Sequence, residues 1–320
     1  MQDTELESEP AKRRVSLEQR LADGPPLLLD GATGTELERR GVASELPLWS
    51  ARALLSAPEA VTEIHTAYVR AGAELLTANT FRTQRRNLAR GGLAERAAEL
   101  TQLAVALARE ACVQARAAGV THPIWIAGSA PPLEDCYRPE RVPSPTELER
   151  EHAEHAENLA RAGVDWILAE TMNTAREAEA ALHAARAVGV PAGVSFVCTP
   201  DARLLSGEPL TRALKYIVPL QPLVVLVNCS PPESVAACLP VLANSGCPFG
   251  VYANLSAPDP TSGHFDPHTY PPDVFAEYAE SWLRSGAHII GGCCGTTPAH
   301  IAALAELRAR LSQQGASRGP

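Results

Sequence analysis

The sequence has no excess of basic residues and no long apolar run. Lysine and arginine together number 28 against 37 aspartates and glutamates, which gives a formal net charge of −9 and a pI near 5.5. A surface for nucleic acid or anionic lipid needs a basic footprint, and no apolar stretch approaches the roughly 18 residues of a membrane span. The composition therefore argues against nucleic acid and membrane as partners.

Cysteine is too sparse for a disulfide scaffold, with eight residues in 320. The first residues are polar and mixed in charge, without the apolar segment of a signal peptide. We therefore expect a reducing, cytoplasmic location. Because free cysteines are often buried, we assign five of the eight to the core: Cys112, Cys136, Cys198, Cys238 and Cys247.

Short apolar runs alternate with longer segments rich in Ala, Glu and Arg. Runs of this length suit strands buried on both faces, and alternation with helices indicates an α/β fold with parallel strands. Eight units fit a closed (β/α)8 barrel better than the alternative, a doubly wound open sheet. The eight runs lie at 27–34, 74–81, 124–131, 164–171, 190–198, 223–230, 247–254 and 288–295.

We predict one barrel domain over residues 21–311, a mobile extension over 1–20 and a disordered tail over 312–320. Two connections, 129–145 and 254–272, are long and rich in proline and polar residues. Because they follow strands three and seven, they are either lids over the mouth of the barrel or plain surface loops. Capping boxes are predicted where Ser or Thr precedes Glu by three residues, at Ser56, Ser144, Thr174 and Ser230.

Three cysteines follow the ends of strands six and eight: Cys229, Cys293 and Cys294. The carboxyl ends of barrel strands meet at one rim, so the fold brings these side chains together. Three thiolates suit Zn²⁺ and leave its fourth position open, which is the arrangement of catalytic sites. Buried filler or a redox pair is the alternative interpretation of the adjacent cysteines.

Five motifs together resemble the homocysteine S-methyltransferase family: DGATGTELERRG from residue 30, TANTF from 77, ETM from 170, NCS from 228 and GGCCGTTP from 291. The resemblance covers about residues 27 to 307. It implies a (β/α)8 barrel, a zinc ion held by Cys229, Cys293 and Cys294, and transfer of a methyl group to the thiol of homocysteine, giving methionine. Zinc would make that thiol a thiolate, the nucleophilic form.

Asp30 and Glu170 end strands one and four on the same rim. Two carboxylates suit the ammonium group of homocysteine, and acidic residues at the matching positions bind that group in the resembled family. The turn Gly31-Ala32-Thr33 offers backbone N–H groups at a helix start for the carboxylate. The alternatives are a turn-forming Asp30, a structural or capping Glu170, or a glycosidase-like acid/base pair.

Further rim residues are predicted to support the site. Asn79 and Ser195 are expected to hydrogen-bond behind it, with direct contact to substrate as the alternative. Asn228 is expected either to support the site in the same way or to line the donor pocket, and Trp49 either packs or lines a pocket for a cationic donor. His264 and His268 are assigned to a loop, because a fourth ligand would close the zinc site.

Two other functions stay open at this point. One is a non-catalytic barrel that binds zinc or a thiol metabolite. The other is a metal-free aldolase, which needs a strand-borne Schiff-base lysine. The two lysines, Lys12 and Lys215, lie off the predicted strands.

The expected methyl donor is a small sulfonium compound, S-methylmethionine or S-adenosylmethionine, because the barrel leaves no room for a pterin or cobalamin domain. The betaine-using branch of the family has an aromatic hydroxyl just after the strand-two motif. Here Arg82 and Thr83 follow Phe81, so that feature is missing and betaine is the less favoured, alternative donor. A related thiol or selenol is the alternative acceptor, and the sequence does not indicate the oligomeric state.

Overall fold

All eight predicted strands are present and parallel in the computed structural model, which describes residues 15–255 and 270–317. They form one sheet in the order β1-β8-β7-β6-β5-β4-β3-β2. The strands are β1 Leu27–Leu28, β2 Leu75–Ala78, β3 Trp125–Ala130, β4 Trp166–Met172, β5 Ala192–Phe196, β6 Val225–Asn228, β7 Phe249–Ala253 and β8 Ile289–Gly292.

The sheet closes on itself between its first two strands. Leu27 and Leu28 pair with Ile289 and Ile290 on one side. On the other side Leu29 forms a parallel bridge with Leu75, and Asp30 N–H donates to the Leu75 carbonyl at 2.9 Å. The predicted (β/α)8 barrel is therefore confirmed, and the open sheet is wrong.

The helices surround the barrel. The described helices are α1 Leu17–Asp23, α2 Gly34–Arg39, α3 Ala53–Ser56, α4 Pro58–Arg70, α5 Arg85–Ala89, α6 Ala97–Ala117, α7 Pro145–Ala162, α8 Ala175–Ala187, α9 Leu210–Ile217, α10 Pro232–Val235, α11 Leu239–Ala243, α12 Pro272–Arg284 and α13 Pro298–Ser317. Five of them, α4, α6, α7, α8 and α11, are followed within three residues by a glycine with positive φ, the conformation that commonly ends a helix: Gly72, Gly119, Gly163, Gly189 and Gly246. No helix within the described residues is long and apolar enough to cross a membrane.

Of the four predicted capping boxes, one forms in full, one forms only in its first half, and two are wrong. Ser144 and Glu147 form a full box at the start of α7, and Thr174 accepts the Glu177 N–H at the start of α8. Helix α4 instead begins after Ala57 without a side-chain cap, so Ser56 lies outside it. Ser230 hydrogen-bonds Cys198 of the neighbouring strand end. A four-residue sequence motif does not show that Cys198, distant in sequence, competes for the Ser230 hydroxyl.

The first and last helices cross the predicted domain boundaries. Helix α1 begins at Leu17, inside the stretch assigned to a mobile extension, because Leu17 and Leu21 pack into the interior cluster of the barrel. Arg20 adds an ion pair with Glu74 at 3.2 Å. Helix α13 continues to Ser317, beyond the boundary at 311. Residues 1–14 and 318–320 lie outside the described residues.

The five cysteines assigned to the core all pack against it. Three are buried and two are half-buried. All eight cysteines lie within the described residues, and none of them forms a disulfide bond. The connection after β3 carries one 3-10 turn, Pro139–Arg141, and is anchored where Leu133 N–H donates to Glu177 at 2.8 Å. Most of the 254–272 connection, with His264 and His268, lies outside the described residues.

Candidate metal and substrate site

The three predicted ligand cysteines meet at the carboxyl end of the barrel. Cys229 follows β6, while Cys293 and Cys294 follow β8, and all three Sγ atoms lie within 4.8 Å of one another. The Sγ atoms of Cys229 and Cys293 are 3.0 Å apart. Zinc–sulfur bonds of about 2.3 Å in a tetrahedron place the sulfurs about 3.8 Å apart. The cluster therefore fits a zinc ion after small side-chain shifts.

The backbone after β8 is fixed by its neighbours. Cys293 N–H donates to the Ala253 carbonyl at 2.8 Å, and Cys294 N–H donates to Asn254 Oδ1 at 3.0 Å. The turn that follows needs Gly295, whose φ of +85° few side chains tolerate. The hydrogen bonds to Ala253 and Asn254 and the turn at Gly295 fix the backbone, so the side chains of the two adjacent cysteines can face one centre.

The three thiols share charge unequally. Hydrogen bonds from Cys229 and then Cys294 hold the pKa of Cys293 well below its usual value. The pKa of Cys229 is raised, first by its hydrogen bond to Cys293 and also by burial. The pKa of Cys294 is raised too: its hydrogen bond to Cys229 lowers it, but its hydrogen bond to Cys293 and its burial together raise it by more. Without a cation the cluster favours one thiolate, so a divalent metal is what would let all three ionise.

A chain of hydrogen bonds runs behind Cys229. Thr171 Oγ lies 3.7 Å from Cys229 Sγ, and Asn228 Nδ2 donates to Thr171 Oγ at 2.8 Å. Asn228 Oδ1 accepts the Thr171 N–H at 3.2 Å and the Ser195 hydroxyl at 2.7 Å. Ser195 and Asn228 thus hydrogen-bond behind Cys229, and the supporting role expected for them stays a prediction.

Glu170 is a buried carboxyl held by two hydroxyls. Ser129 Oγ donates to one oxygen, and Tyr252 OH donates to the other at 3.1 Å. Burial raises the pKa of Glu170 to about 7, with a further contribution from the charge of Cys293 and despite the two hydrogen bonds. An ionised Glu170 at this depth would be stabilised by a cationic ligand.

Asp30 is a second buried carboxyl at the same mouth. Thr77 N–H donates to its Oδ2 at 2.8 Å. Burial raises its pKa well above the usual range, and the charge of Glu170 raises it further. Within residues 15–255 and 270–314, neither carboxyl forms a salt bridge. Two buried acids without a cation are chemically suited to an ammonium group.

The turn after Asp30 is packed closely. A side chain at Gly31 would lie 2.7 Å from the Tyr68 hydroxyl, so only glycine fits there. Ala32 N–H donates to Thr296 Oγ at 3.3 Å. A carboxylate at this turn would therefore depend on the N–H groups of Gly31 and Thr33.

Trp49 makes a ring contact near the mouth, whereas Asn79 makes a hydrogen bond to the backbone. Trp49 meets Phe81 edge to face, with ring centroids 5.9 Å apart, and covers Gly34. Trp49 is half-buried, so both packing and lining a pocket remain compatible with its position. Asn79 donates to the Ser50 carbonyl at 2.9 Å, which ties β2 to the segment after Trp49.

Sequence reasoning missed four polar residues of the site. Ser129, Thr171 and Tyr252 each stand near the end of a strand, which was the available signal. Tyr137 lies on the connection after β3 with 38% of its surface exposed. Partial removal of its hydroxyl from water raises its pKa, and the charges of Cys229 and Cys294 raise it further. It brings that connection close to the cysteines, while its lid role stays a prediction.

Fold and site together define a (β/α)8-barrel protein with a three-cysteine centre and two buried carboxyls at its mouth. The profile of the homocysteine S-methyltransferase family matches residues 27–308. The chain belongs to that family, so the resemblance and the enzyme class predicted from the sequence are confirmed.

Individual relatives agree over most of their length. The chain is 34% identical to the homocysteine S-methyltransferase of Escherichia coli (strain K12), over 87% of this chain and 94% of that protein. It is 27% identical to a selenocysteine Se-methyltransferase of Brassica oleracea, over 87% of each. The metallated form of the homocysteine methyltransferase MmuM from Escherichia coli superposes with a TM-score of 0.78 at 32% identity, covering 91% of this chain and 98% of that one.

Proposed function

We propose that this protein transfers a methyl group from a small sulfonium donor, S-methylmethionine or S-adenosylmethionine, to the thiol of L-homocysteine, giving methionine. The observation that carries the proposal is the placement of three cysteines beside two buried acids that have no salt-bridge partner among the described residues. A metal-binding thiol cluster and an ammonium site on one rim match the two ends of homocysteine.

Cys229, Cys293 and Cys294 are the proposed zinc ligands. Their soft sulfur donors and their spacing suit zinc, and three protein ligands leave one position for a substrate. When bound, the ion lowers the pKa of a thiol so that the thiolate predominates at neutral pH. A relative whose structure is described as metallated supports this assignment.

Asp30 and Glu170 are the proposed ammonium ligands. Binding the ammonium lowers the pKa of both carboxyls, because an opposite charge offsets their burial. Ser129 and Tyr252 orient Glu170 by hydrogen bonds to its two oxygens. The N–H groups of Gly31 and Thr33 are the proposed partners of the substrate carboxylate.

The reaction needs no general base from the chain. The homocysteine sulfur, as a thiolate, attacks the methyl carbon of the donor in line. A new carbon–sulfur bond forms, and the bond to the positive sulfur breaks, so its electron pair leaves with a neutral thioether. Since the sulfonium methyl is activated by its own charge, the residues act by placing and orienting both substrates.

Trp49 and Phe81 are the proposed wall of the donor pocket. Their rings meet beside the β2 motif, and a cationic donor would be favoured on an aromatic face. Arg82 lies with its guanidinium carbon 5.5 Å from the Phe81 ring centroid. It stands where the betaine branch has an aromatic hydroxyl. Because that hydroxyl is missing here, betaine is the less favoured, alternative donor.

The deciding experiment measures the methylated product with zinc-loaded protein. Homocysteine is incubated separately with S-methylmethionine, S-adenosylmethionine, betaine and methyltetrahydrofolate at equal concentration. We expect methionine from one or both sulfonium donors. Activity with betaine or the folate, and none with either sulfonium, would overturn the donor assignment, whereas no product from any donor would favour a binding barrel.

A parallel arm tests the acceptor. Selenocysteine replaces homocysteine in the same assay, because one similar protein is a selenocysteine Se-methyltransferase. A higher kcat/KM for selenocysteine would move the proposed acceptor from the thiol to the selenol.

A further inference from the structure

Two residues with strained backbones face each other beside the cysteine cluster. Thr171 has φ of 61° and Cys229 has φ of 48°, both in the left-handed region. A β-branched residue is rare there, because its side chain crowds the backbone. Such strain costs about 1–3 kcal/mol at each site and persists where the surroundings fix it, often for function.

Asn228 provides that fixation for Thr171. Its Oδ1 accepts the Thr171 N–H at 3.2 Å, and its Nδ2 donates to Thr171 Oγ at 2.8 Å. Because a backbone N–H can only donate, the amide must present its oxygen to that group, which settles the orientation of the whole amide. Ser195 donates to the same oxygen at 2.7 Å and holds the amide from behind.

The direction of the next hydrogen bond follows from these contacts. Thr171 Oγ accepts from Asn228, so its own hydrogen is free to point elsewhere. The neighbouring acceptor is Cys229 Sγ at 3.7 Å. The chain thus runs from Ser195 through Asn228 and Thr171, and it ends with an O–H donated to the sulfur of a proposed metal ligand.

A thiolate ligand in this reaction faces a hazard. Every thiolate beside a bound methyl donor is a nucleophile, whether it belongs to the substrate or to the protein. Attack by Cys229 Sγ would form a protein methyl thioether, break the donor's carbon–sulfur bond and remove a strong ligand. A hydrogen bond to sulfur draws on the electron pair that attacks carbon, so it slows that reaction.

We propose that the Thr171 hydroxyl, oriented by Asn228 and Ser195, protects Cys229 from methylation and so directs the methyl group to the substrate sulfur. Thr171 is then a positioning residue that makes the protein's thiolate a poorer nucleophile than the bound acceptor. The inference rests on the proposed zinc site and is independent of which methyl donor the enzyme uses.

Methyl iodide tests this on the zinc-loaded full chain without homocysteine. Its carbon–iodine bond breaks as the carbon–sulfur bond forms, and peptide mass spectrometry follows methylation of Cys229. Thr171→Val removes the hydroxyl and keeps the β-branched shape, whereas Thr171→Ser keeps the hydroxyl. We expect methylation of Cys229 to be roughly tenfold faster or more in the valine variant, the factor that a hydrogen bond to a charged group contributes. The serine variant should match the wild type.

Equal rates in the wild type and Thr171→Val, at equal zinc content, would overturn the inference. So would a serine variant that reacts as fast as the valine variant, because that would point to packing. If the valine variant does not retain zinc, Ser195→Ala decides: it leaves Thr171 in place, and an unchanged rate at Cys229 would refute the chain. A wild type that binds no zinc would overturn the zinc site itself, together with this inference.

A spectrum gives an independent reading. With cobalt(II) in place of zinc, the sulfur-to-metal charge-transfer band lies at lower energy when sulfur holds its electrons less tightly. We expect a shift to longer wavelength in Thr171→Val and none in Thr171→Ser. Identical bands in all three proteins would count against a hydrogen bond to Cys229.

Discussion

Replacing Glu170 with glutamine should make the zinc-free, ligand-free protein more stable at alkaline pH. Glu170 is buried, and its pKa is raised from 4.5 to about 7, mainly because burial disfavours the charged form. Its folded-state pKa therefore lies above the unfolded value. The free energy of unfolding is therefore highest below the unfolded pKa, where the carboxyl is protonated in both states. That contribution to stability is lost as the pH rises through the folded pKa.

The size of the effect follows from the shift. The difference between 4.5 and about 7 is roughly 2.5 units, which at 1.36 kcal/mol per unit amounts to about 3 kcal/mol above pH 7. At pH 5 most of that penalty is absent, because the folded carboxyl is protonated, and about 1 kcal/mol remains. Glutamine carries no charge, and its amide can still meet the hydroxyls of Ser129 and Tyr252.

Urea unfolding at pH 8 and pH 5 measures this difference. The free energy of unfolding of Glu170→Gln should exceed that of the wild type by about 3 kcal/mol at pH 8 and by about 1 kcal/mol at pH 5. Glu157→Gln is the matched control, since Glu157 is exposed and pairs with Arg161 at 2.6 Å. A surface pair contributes about 0–1 kcal/mol. A Glu170→Gln variant that is no more stable than the wild type at pH 8, or equally changed at both pH values, would refute the reasoning.

Three further outcomes are expected. Cys293→Ala should lose the zinc ion, because two thiols and water hold it weakly; metal analysis of the purified variant checks this, and full retention would sink the three-cysteine site. Asp30→Asn should weaken homocysteine binding roughly 10- to 150-fold with zinc retained, the loss of one charged hydrogen bond; unchanged affinity in calorimetry would refute the ammonium site. Gly295→Ala should destabilise the protein by about 1–3 kcal/mol through positive-φ strain, since its φ is +85° and a Cβ would lie 3.2 Å from Leu255; an unchanged thermal midpoint would contradict it.

The barrel and its cysteine centre could be predicted because both depend on strand ends. Each strand carries its own apolar run, and a closed barrel places Cys229 and Cys293 on one rim whatever the loops do. The hydrogen-bond partners could not be predicted in this way. Glu170 is held by Ser129 of β3 and Tyr252 of β7, and the pattern of apolar residues does not indicate which side chains face one another inside a barrel.

Local signals failed where a distant partner competed. Ser230 has the spacing of a capping residue but bonds to Cys198, 32 positions away. Leu17 and Leu21 are too few to mark a helix by periodicity, yet they are buried because the barrel interior offers them an apolar surface. In each case the deciding contact joins segments that the sequence does not place side by side.

Glu74 forms ion pairs at one end of the barrel, and the cysteines lie at the other. Glu74 stands just before β2, at the end of the barrel opposite the cysteines, and binds both Arg20 of α1 and Arg308 of α13. The first and last described helices are therefore anchored together at the end of the barrel opposite the cysteines. A carrier, a solid support or a fused protein attached through either helix would leave the mouth open to substrate, and a circular permutant joining those two helices would keep its cysteines in place.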